Sequence, residues 1–183
     1  MRIVAGEYSS RKIEAPKGDN TRPTLDRVRE AVFSSLGIYF EGGLFLDLYA
    51  GSGANGLEAI SRGFDKAIFV DKAIDAINCI NNNIDNLGVK DKCIVLKMND
   101  MSALKLFVEK EYKFDLVYLD PPYKKEHNNE ILKYLIDNEL LNENARVVIE
   151  SDSNDIFIEE YEWLSKYKEA KYSQTKITYY KKK

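Results

Sequence analysis

The sequence has few of the residues on which metal centres, disulfide frameworks and membrane segments depend. Its 183 residues include two cysteines, Cys79 and Cys93, which form no CxxC pair, and one histidine, His127. We therefore expect neither a metal site nor a disulfide, and we expect His127 to be a solvated loop residue. No run of about 18 apolar residues is present, and charged residues stand where a secretory signal would be apolar. A cytoplasmic protein without a membrane segment is expected.

The composition is that of an ordinary globular domain whose charge is unevenly distributed. Hydrophobic residues make up 44% of the chain and charged residues 31%, which predicts a single domain over residues 1–183. The net charge of −3 combines +3 over residues 1–29, −12 over residues 30–163 and +6 over residues 164–183. The two basic terminal segments suggest an anionic partner that binds them, although the last three lysines could serve solubility alone.

Strand-like and helix-like segments alternate along most of the chain. Strands are predicted at residues 44–50, 67–70, 92–98, 114–119 and 145–149, with a final pair inside 165–181 and an N-terminal hairpin at 2–5 and 11–15. One intervening helix carries Ile74, Ile77, Ile84 and Leu87 as its apolar stripe. The pattern predicts a doubly wound, mainly parallel α/β sheet with an antiparallel C-terminal edge. Residues 1–23 would form an arm, and residues 24–183 the core.

A glycine loop follows the first predicted strand. Ala50, Gly51 and Gly53 stand between that strand and a helix, where glycines let a nucleotide cofactor approach the backbone and the helix N–H groups. Asp71 ends the next strand 20 residues after Gly51, a spacing at which its carboxylate can bind ribose hydroxyls. Asp47, just before the loop, would repel a pyrophosphate but suits the cationic amino-acid end of S-adenosylmethionine. A methyltransferase is therefore favoured over a dinucleotide-dependent oxidoreductase.

The residues after the third predicted strand are candidates for holding the adenine ring of this cofactor. Asp100 is placed to accept a hydrogen bond from the adenine amine, while Met101 or Lys72 would cover the ring. The alternative for Asp100 is a structural role as a helix cap, which also suits aspartate.

Asp120-Pro121-Pro122-Tyr123 follows the fourth predicted strand and predicts the catalytic turn. Two consecutive prolines fix the backbone and donate no hydrogen bonds, so the turn presents a carboxylate, carbonyl oxygens and an aromatic face. Asp120 and the Pro121 carbonyl could accept the two N–H bonds of an exocyclic amine, which directs its lone pair to the methyl group. Tyr123 could stack on a base that has been extruded from its stacked position in the nucleic acid. The alternative is a purely structural role, in which the tetrapeptide only forms the turn that ends the strand.

Several of these segments occur in the order typical of one known family. These segments are residues 22–30 (RPTLDRVRE), 46–53 (LDLYAGSG), 56–59 (GLEA), 61–63 (SRG) and the Asp-Pro-Pro-Tyr turn, and the resemblance that they carry covers essentially the whole chain. The chain thereby resembles the RsmD family of bacterial 16S ribosomal RNA guanine-N2 methyltransferases. The chain departs from the family pattern in two places. The family's usual Gly-Arg-Gly-type stretch in the N-terminal hairpin is Ser9-Ser10-Arg11 here, and the glycine often found in the C-terminal hairpin is Ser173.

The resemblance implies a Rossmann-like class I methyltransferase fold and a specific reaction. A methyl group would pass from S-adenosylmethionine to N2 of the guanine conventionally numbered 966 in 16S ribosomal RNA. The substrate could be the free RNA or an assembling small ribosomal subunit, and a monomeric enzyme is expected. Two alternatives stay open: an adenine-N6 methyltransferase acting on DNA, which can use the same tetrapeptide, and a non-catalytic nucleic-acid-binding module.

The N-terminal segment and the start of the following helix are expected to dock the RNA. The candidate contacts are cations ahead of the first core strand: Arg2, Arg11, Lys12, Arg22 and Arg27. Arg22 and Arg27 could instead be structural, pairing with Asp26 or Glu30 beside the helix start.

Overall fold

The fold is built around one sheet whose strand order, over the residues that the structure describes, is β3-β2-β1-β4-β5-β8-β7-β6. The computed structural model describes residues 1–18, 23–122 and 125–183. The strands are β1 Leu44–Asp47, β2 Lys66–Asp71, β3 Cys93–Lys97, β4 Phe114–Leu119, β5 Leu141–Asp152, β6 Glu160–Tyr161, β7 Leu164–Tyr172 and β8 Thr175–Lys182. The helices are α1 Pro23–Leu36, α2 Ala54–Ser61, α3 Ile74–Leu87, α4 Asp100–Glu109 and α5 Lys125–Asp137.

Strands β1 to β5 are parallel to one another, and their order reverses between β1 and β4. In an open α/β sheet, loops that leave the carboxyl ends of the two central strands run to opposite faces and leave a crevice between them. The predicted doubly wound parallel sheet is confirmed, and the crevice lies beside the two predicted site motifs.

The core lies in two layers, one on each face of the sheet. Neighbouring strand residues alternate between the layers: Phe45 and Tyr118 belong to one hydrophobic cluster, while Leu46 and Val117 belong to the other. Helices α1, α2 and α3 cover the first layer, and α4 and α5 cover the second. Because both faces are covered, the central strands are nearly continuous apolar runs.

Helix α3 has the predicted extent and buries Ile84 and Leu87 of the predicted stripe, but the rest of its buried face differs from the prediction. Ile74, placed on the apolar stripe from the sequence, is 52% exposed, whereas Cys79, Ile80 and Asn83 are buried. The helix ends at Gly88, which adopts the left-handed conformation as expected for a C-terminal glycine.

The C-terminal strands form the predicted antiparallel edge. β8 pairs antiparallel with both β5 and β7. β5 is longer than predicted, because its polar end continues the ladder with β8, with Glu150 opposite Ile177. Ser173 turns the β7–β8 hairpin at φ 58°, and Ser10 turns the N-terminal segment at φ 68°. Both serines thus adopt the left-handed conformation, which glycine adopts more readily than other residues.

The N-terminal segment pairs with itself less regularly than predicted. Its two halves form a single antiparallel bridge, Arg2 with Lys12, and Ile3 and Ile13 are buried in the first core layer. The backbone N–H groups of Val4 and Ala5 donate to the Glu58 carboxylate of α2 at 2.9 and 3.0 Å, so they cannot continue a cross-strand ladder. The segment is therefore packed on the core instead of standing apart from it. In the described part of the chain, every helix is too short or too polar to cross a bilayer.

Candidate active site

Two adjoining cavities open at the carboxyl ends of β1, β2 and β4. The first cavity has a volume of about 420 Å³ and is lined by Leu48, Tyr49, Gly51, Asp71, Lys72, Met98, Asn99, Asp100, Asp120, Pro121 and Pro122. The second has a volume of about 310 Å³ and lies between the glycine loop, the N-terminal segment and α1, with Met1, Pro16, Leu25, Val28 and Arg29 in its walls. Tyr49, Gly51 and Asp120 line both cavities. The two predicted motifs therefore meet where the cavities adjoin.

The glycine loop is shaped by backbone conformations that only glycine adopts without strain. Gly51 has φ 56° and Gly53 φ 80°, both left-handed. Gly56, in the first turn of α2, lies so close to β2 that an added Cβ would stand 2.3 Å from the Phe69 ring. These glycines let the loop turn sharply and let α2 pack directly against the sheet.

Asp71 lines the first cavity and is held rigidly at the end of β2. Its Oδ2 accepts from the Gly51 N–H at 2.9 Å, and its Oδ1 accepts from the Ala73 N–H at 2.9 Å. Since each carboxylate oxygen can accept two hydrogen bonds, one acceptor site remains on each oxygen. The predicted ribose contact is therefore compatible with the geometry.

Asp47 lies beneath the glycine loop and does not face either cavity in the described structure. The residue is 1% exposed, and its Oδ2 accepts from the Gly56 N–H at 3.3 Å. Burial raises the pKa of Asp47 to about 7, and the negative charge of Asp71 contributes to the rise. The structure thus shows Asp47 bonded to the first turn of α2, and its contact with the amino-acid end of the cofactor stays a prediction.

The remaining predicted cofactor residues divide between the cavities and the core. Lys72 lines the first cavity and Ala50 the second. Gly53 is buried under the loop and supports its turn, while Met101 is partly buried against the second core layer.

Asp100 lines the first cavity within a cluster of hydrogen bonds. Its Oδ2 accepts from the Tyr49 hydroxyl at 2.8 Å and lies 2.6 Å from Nε2 of His127, while its Oδ1 accepts from the Met101 N–H at 2.7 Å. Burial would raise its pKa, but the hydrogen bonds from His127 and Tyr49 outweigh burial and hold the pKa below its usual range. The capping role at α4 belongs to Asn99, whose side chain accepts from the Ser102 N–H at 2.8 Å.

The expectation for His127 is wrong. His127 lies in α5 with its side chain 26% exposed, and it contacts Asp100 and also Glu130, at 3.5 Å. Its neighbours in the sequence carry no sign of this contact, because Asp100 belongs to another helix.

Asp120 follows β4 directly and stands between the two cavities. Its side chain remains accessible to solvent, yet the cavity walls surround it closely enough to raise its pKa well above the usual range, and the charges of Glu150 and Asp47 raise it further. Glu150 on β5 lines the second cavity; burial raises its pKa, and it accepts from the Tyr118 hydroxyl at 3.1 Å. Pro121 lines the first cavity, and Tyr123 lies outside the described residues.

Four of the predicted RNA contacts can be placed, and Arg22 lies outside the described residues. Arg2, Lys12 and Arg27 are exposed. Arg11 is exposed as well, but its Nη2 donates to the Asn86 carbonyl at 2.6 Å. This bond ties Arg11 to the end of α3.

A buried ion network that sequence reasoning missed holds the wall of the second cavity. Glu58, fully buried, contacts Nε of Arg62 at 2.8 Å and Nε of Arg29 at 3.4 Å. Arg29 also pairs with Asp26 at 2.8 Å and donates to the Arg2 carbonyl. Asp26, which the sequence offered with Glu30 as an alternative partner for Arg22 or Arg27, is thus paired with Arg29. The spacing of Glu58 and Arg62, four residues apart on one helix, was a signal that could have revealed part of the network.

Tyr49 and Glu150 are two further site residues that were not predicted. Tyr49 lies one residue before the predicted loop contacts and lines both cavities, while Glu150 is brought in by β5. Among the described residues, no group of three or more His, Cys, Asp or Glu side chains is arranged to hold a metal ion.

Known proteins resemble this chain over its full length. The family model described as conserved hypothetical protein 95 matches residues 1–181. The Bacillus subtilis protein named "Putative rRNA methyltransferase YlbH" is 36% identical over 183 residues, covering 100% of both chains. The Haemophilus influenzae "Ribosomal RNA small subunit methyltransferase D" is 30% identical over 164 residues, covering 89% of this chain and 84% of the relative. The solved Escherichia coli structure titled "Putative methyltransferase yhhF" superposes with a TM-score of 0.86 at 30% identity, covering 100% of this chain and 98% of its own.

The doubly wound sheet, the glycine loop and the acidic turn at β4 define a Rossmann-like methyltransferase of the class that uses S-adenosylmethionine. Within that class, the chain belongs to the RsmD family of ribosomal RNA methyltransferases. The family assignment made from the sequence motifs is confirmed, and the DNA-modifying and non-catalytic alternatives are not favoured.

Proposed function

We propose that the protein transfers the methyl group of S-adenosylmethionine to the exocyclic N2 of a guanine in 16S ribosomal RNA, in the cytoplasm. The observation that carries the proposal is the meeting of two cavities at Asp120, one bounded by the glycine loop and Asp71, the other by the N-terminal segment. The names of the relatives support ribosomal RNA as the substrate. The finer details, which are the position of the guanine, an assembling small subunit as substrate and a monomeric enzyme, are part of this proposal.

The residues of the first cavity fit a cationic nucleoside cofactor. The carboxylates of Asp71 and Asp100 offer acceptors for ribose hydroxyls and an amine, and Lys72 borders the same space. Gly51 allows close approach to the backbone. When bound, S-adenosylmethionine supplies a methyl group that its sulfonium already activates. The protein therefore has to align the acceptor, and alignment alone lowers a barrier substantially.

Asp120 would bind and orient the target amine. Its carboxylate and the Pro121 carbonyl would accept the two N–H bonds of the amine, and Tyr123 would stack on the base. As the new N–C bond forms, the nitrogen must lose a proton. The raised pKa of Asp120 makes its ionised form a better acceptor for that proton than an ordinary aspartate.

The test is a methylation assay with 16S ribosomal RNA, followed by mass spectrometry of the released nucleosides. We expect N2-methylguanosine as the product. Asp120→Ala should change the affinity for the cofactor by no more than about twofold. It should slow single-turnover methyl transfer by about 100-fold or more, because the lost contacts are to the guanine amine that receives the methyl group. Asp137→Ala, which removes an exposed carboxylate paired with Lys133, is the matched control. N6-methyladenosine as the product, or near-normal transfer by Asp120→Ala, would contradict the proposal.

A further inference from the structure

Tyr49, Asp100 and His127 form a cluster that joins three separate elements beside the first cavity. Tyr49 belongs to the loop after β1, Asp100 to the first turn of α4 and His127 to the first turn of α5. The Asp100 side chain is 11% exposed, so most of its surface is covered by its neighbours. Asp100, the residue predicted to bind the adenine amine, is therefore held by residues from two other parts of the fold.

The hydrogen bonds leave the Asp100 carboxylate with one open acceptor site. A carboxylate offers about four lone-pair positions, two on each oxygen. Oδ2 uses both, for Tyr49 at 2.8 Å and His127 at 2.6 Å, while Oδ1 uses one for the Met101 N–H. The remaining position is on Oδ1. The carboxylate thus presents a single acceptor in a fixed direction.

The protonation of His127 follows from the same contacts. Asp100 is ionised because the surrounding hydrogen bonds lower its pKa, so it can only accept. Nε2 of His127 must therefore carry the proton that it donates across 2.6 Å. Nδ1, on the other side of the ring, faces Glu130 at 3.5 Å. Of the two ring nitrogens of His127, only Nε2 contacts Oδ2, so a replacement for His127 needs a donor at the Nε2 position to keep this contact.

We propose that His127 and Tyr49 are positioning residues that orient Asp100 to accept from the exocyclic amine of adenine, and thereby select adenine over hypoxanthine. This inference rests on the proposed function, since it concerns the cofactor of the same site. Hypoxanthine carries an oxygen where adenine carries its amine, so a fixed acceptor in that position repels it. If Oδ2 were released, the carboxylate could turn and solvate, and the discrimination would be lost.

The experiment compares calorimetric affinities for S-adenosylhomocysteine and its inosine analogue, S-inosylhomocysteine. The wild-type protein should prefer the adenine compound by about tenfold or more, as expected for loss of a charge-assisted hydrogen bond. His127→Ala should reduce the preference to about threefold or less. His127→Gln, whose amide nitrogen reaches the Nε2 position, should restore it, whereas His127→Asn, whose amide lies nearer the Nδ1 position, should not. Tyr49→Phe removes the second donor and should act in the same direction as His127→Ala.

The ratio of the two affinities distinguishes a positioning role of His127 and Tyr49 from a structural role. A structural defect would lower the thermal midpoint and weaken both ligands equally, leaving their ratio unchanged, which would overturn the inference while the proposed function stands. Equal restoration by Gln and Asn would also overturn it. A wild-type protein that binds neither compound would overturn the proposed function and this inference together.

Discussion

Replacing Asp47 with asparagine should make the stability of the protein less dependent on pH. Asparagine keeps an oxygen that can accept from the Gly56 N–H but cannot ionise. In the folded wild type, burial raises the pKa of Asp47 from 3.8 to about 7. Between these two values the folded state binds a proton that the unfolded state has released. Raising the pH through this window therefore favours unfolding of the wild type, whereas the uncharged side chain in the Asp47→Asn variant has no such effect.

The size of this effect on the free energy of unfolding follows from the difference between the pKa of Asp47 in the folded and unfolded states. One pKa unit corresponds to about 1.4 kcal/mol, so the full shift costs the wild type about 4 kcal/mol at a pH above 7. Between about pH 5 and about pH 8, the free energy of unfolding of Asp47→Asn should rise relative to the wild type by about 3 kcal/mol. Above that range, the difference should become constant.

Urea unfolding at several pH values, followed by circular dichroism, measures this difference directly. Asp137→Asn controls for the loss of one negative charge, and it should change stability by less than about 1 kcal/mol, because an exposed ion pair contributes little. If the stability profiles of the wild type and Asp47→Asn run parallel from about pH 5 to about pH 8, Asp47 does not titrate as its burial requires, and the reasoning is wrong.

Three further variants test other parts of the structure. Gly56→Ala should lower the free energy of unfolding by about 1–3 kcal/mol, because the new methyl group would overlap the buried ring of Phe69; an unchanged urea midpoint would contradict this close packing. Glu58→Gln should cost about 3–5 kcal/mol, since it leaves the buried guanidinium of Arg62 without its carboxylate and removes one of the two carboxylates beside Arg29, and a loss below about 1 kcal/mol would exclude that role. The last variant neutralises three exposed cations of the N-terminal segment together: Arg2, Arg11 and Lys12. Its affinity for 16S ribosomal RNA should fall, and the slope of log affinity against log salt should flatten by about one unit per lost phosphate contact, with cofactor affinity as the control. Unchanged affinity and slope would dismiss the docking role.

The elements that depend on local pattern could be predicted from the sequence. β4 has the predicted bounds of residues 114–119, and α3 ends at the predicted glycine. The glycine loop and Asp120 also follow β1 and β4 as predicted, because the end of a buried strand, a glycine turn and a proline pair are all local signals. The sheet brings these local signals to one edge, as the alternation of strands and helices predicts.

The contacts that join distant segments could not be predicted. His127 meets Asp100 across 27 residues, and Glu58 meets the backbone N–H of Val4 across 54. Polar side chains give no periodic signal of their partners, so a histidine that holds a carboxylate looks like a solvated one in the sequence. The polar end of β5 was missed for a related reason, since it is ordered by pairing with β8 and not by apolar residues of its own.

Tyr49, Gly51 and Asp120 form a wall that both cavities share, and this shared wall has a consequence for inhibitor design. If the cofactor and the target guanine bind in the two adjoining cavities as proposed above, a compound that joins an adenosine analogue to a guanine through a short tether would occupy both cavities at once. Linking two weak ligands makes the second binding event intramolecular, and a tether of matched length can raise affinity by about 100-fold or more over either half. Methyltransferases that bind S-adenosylmethionine in a similar first cavity, but have no matching second one, would gain nothing from the guanine half. Selectivity among such enzymes would then come from the cavity bounded by the N-terminal segment.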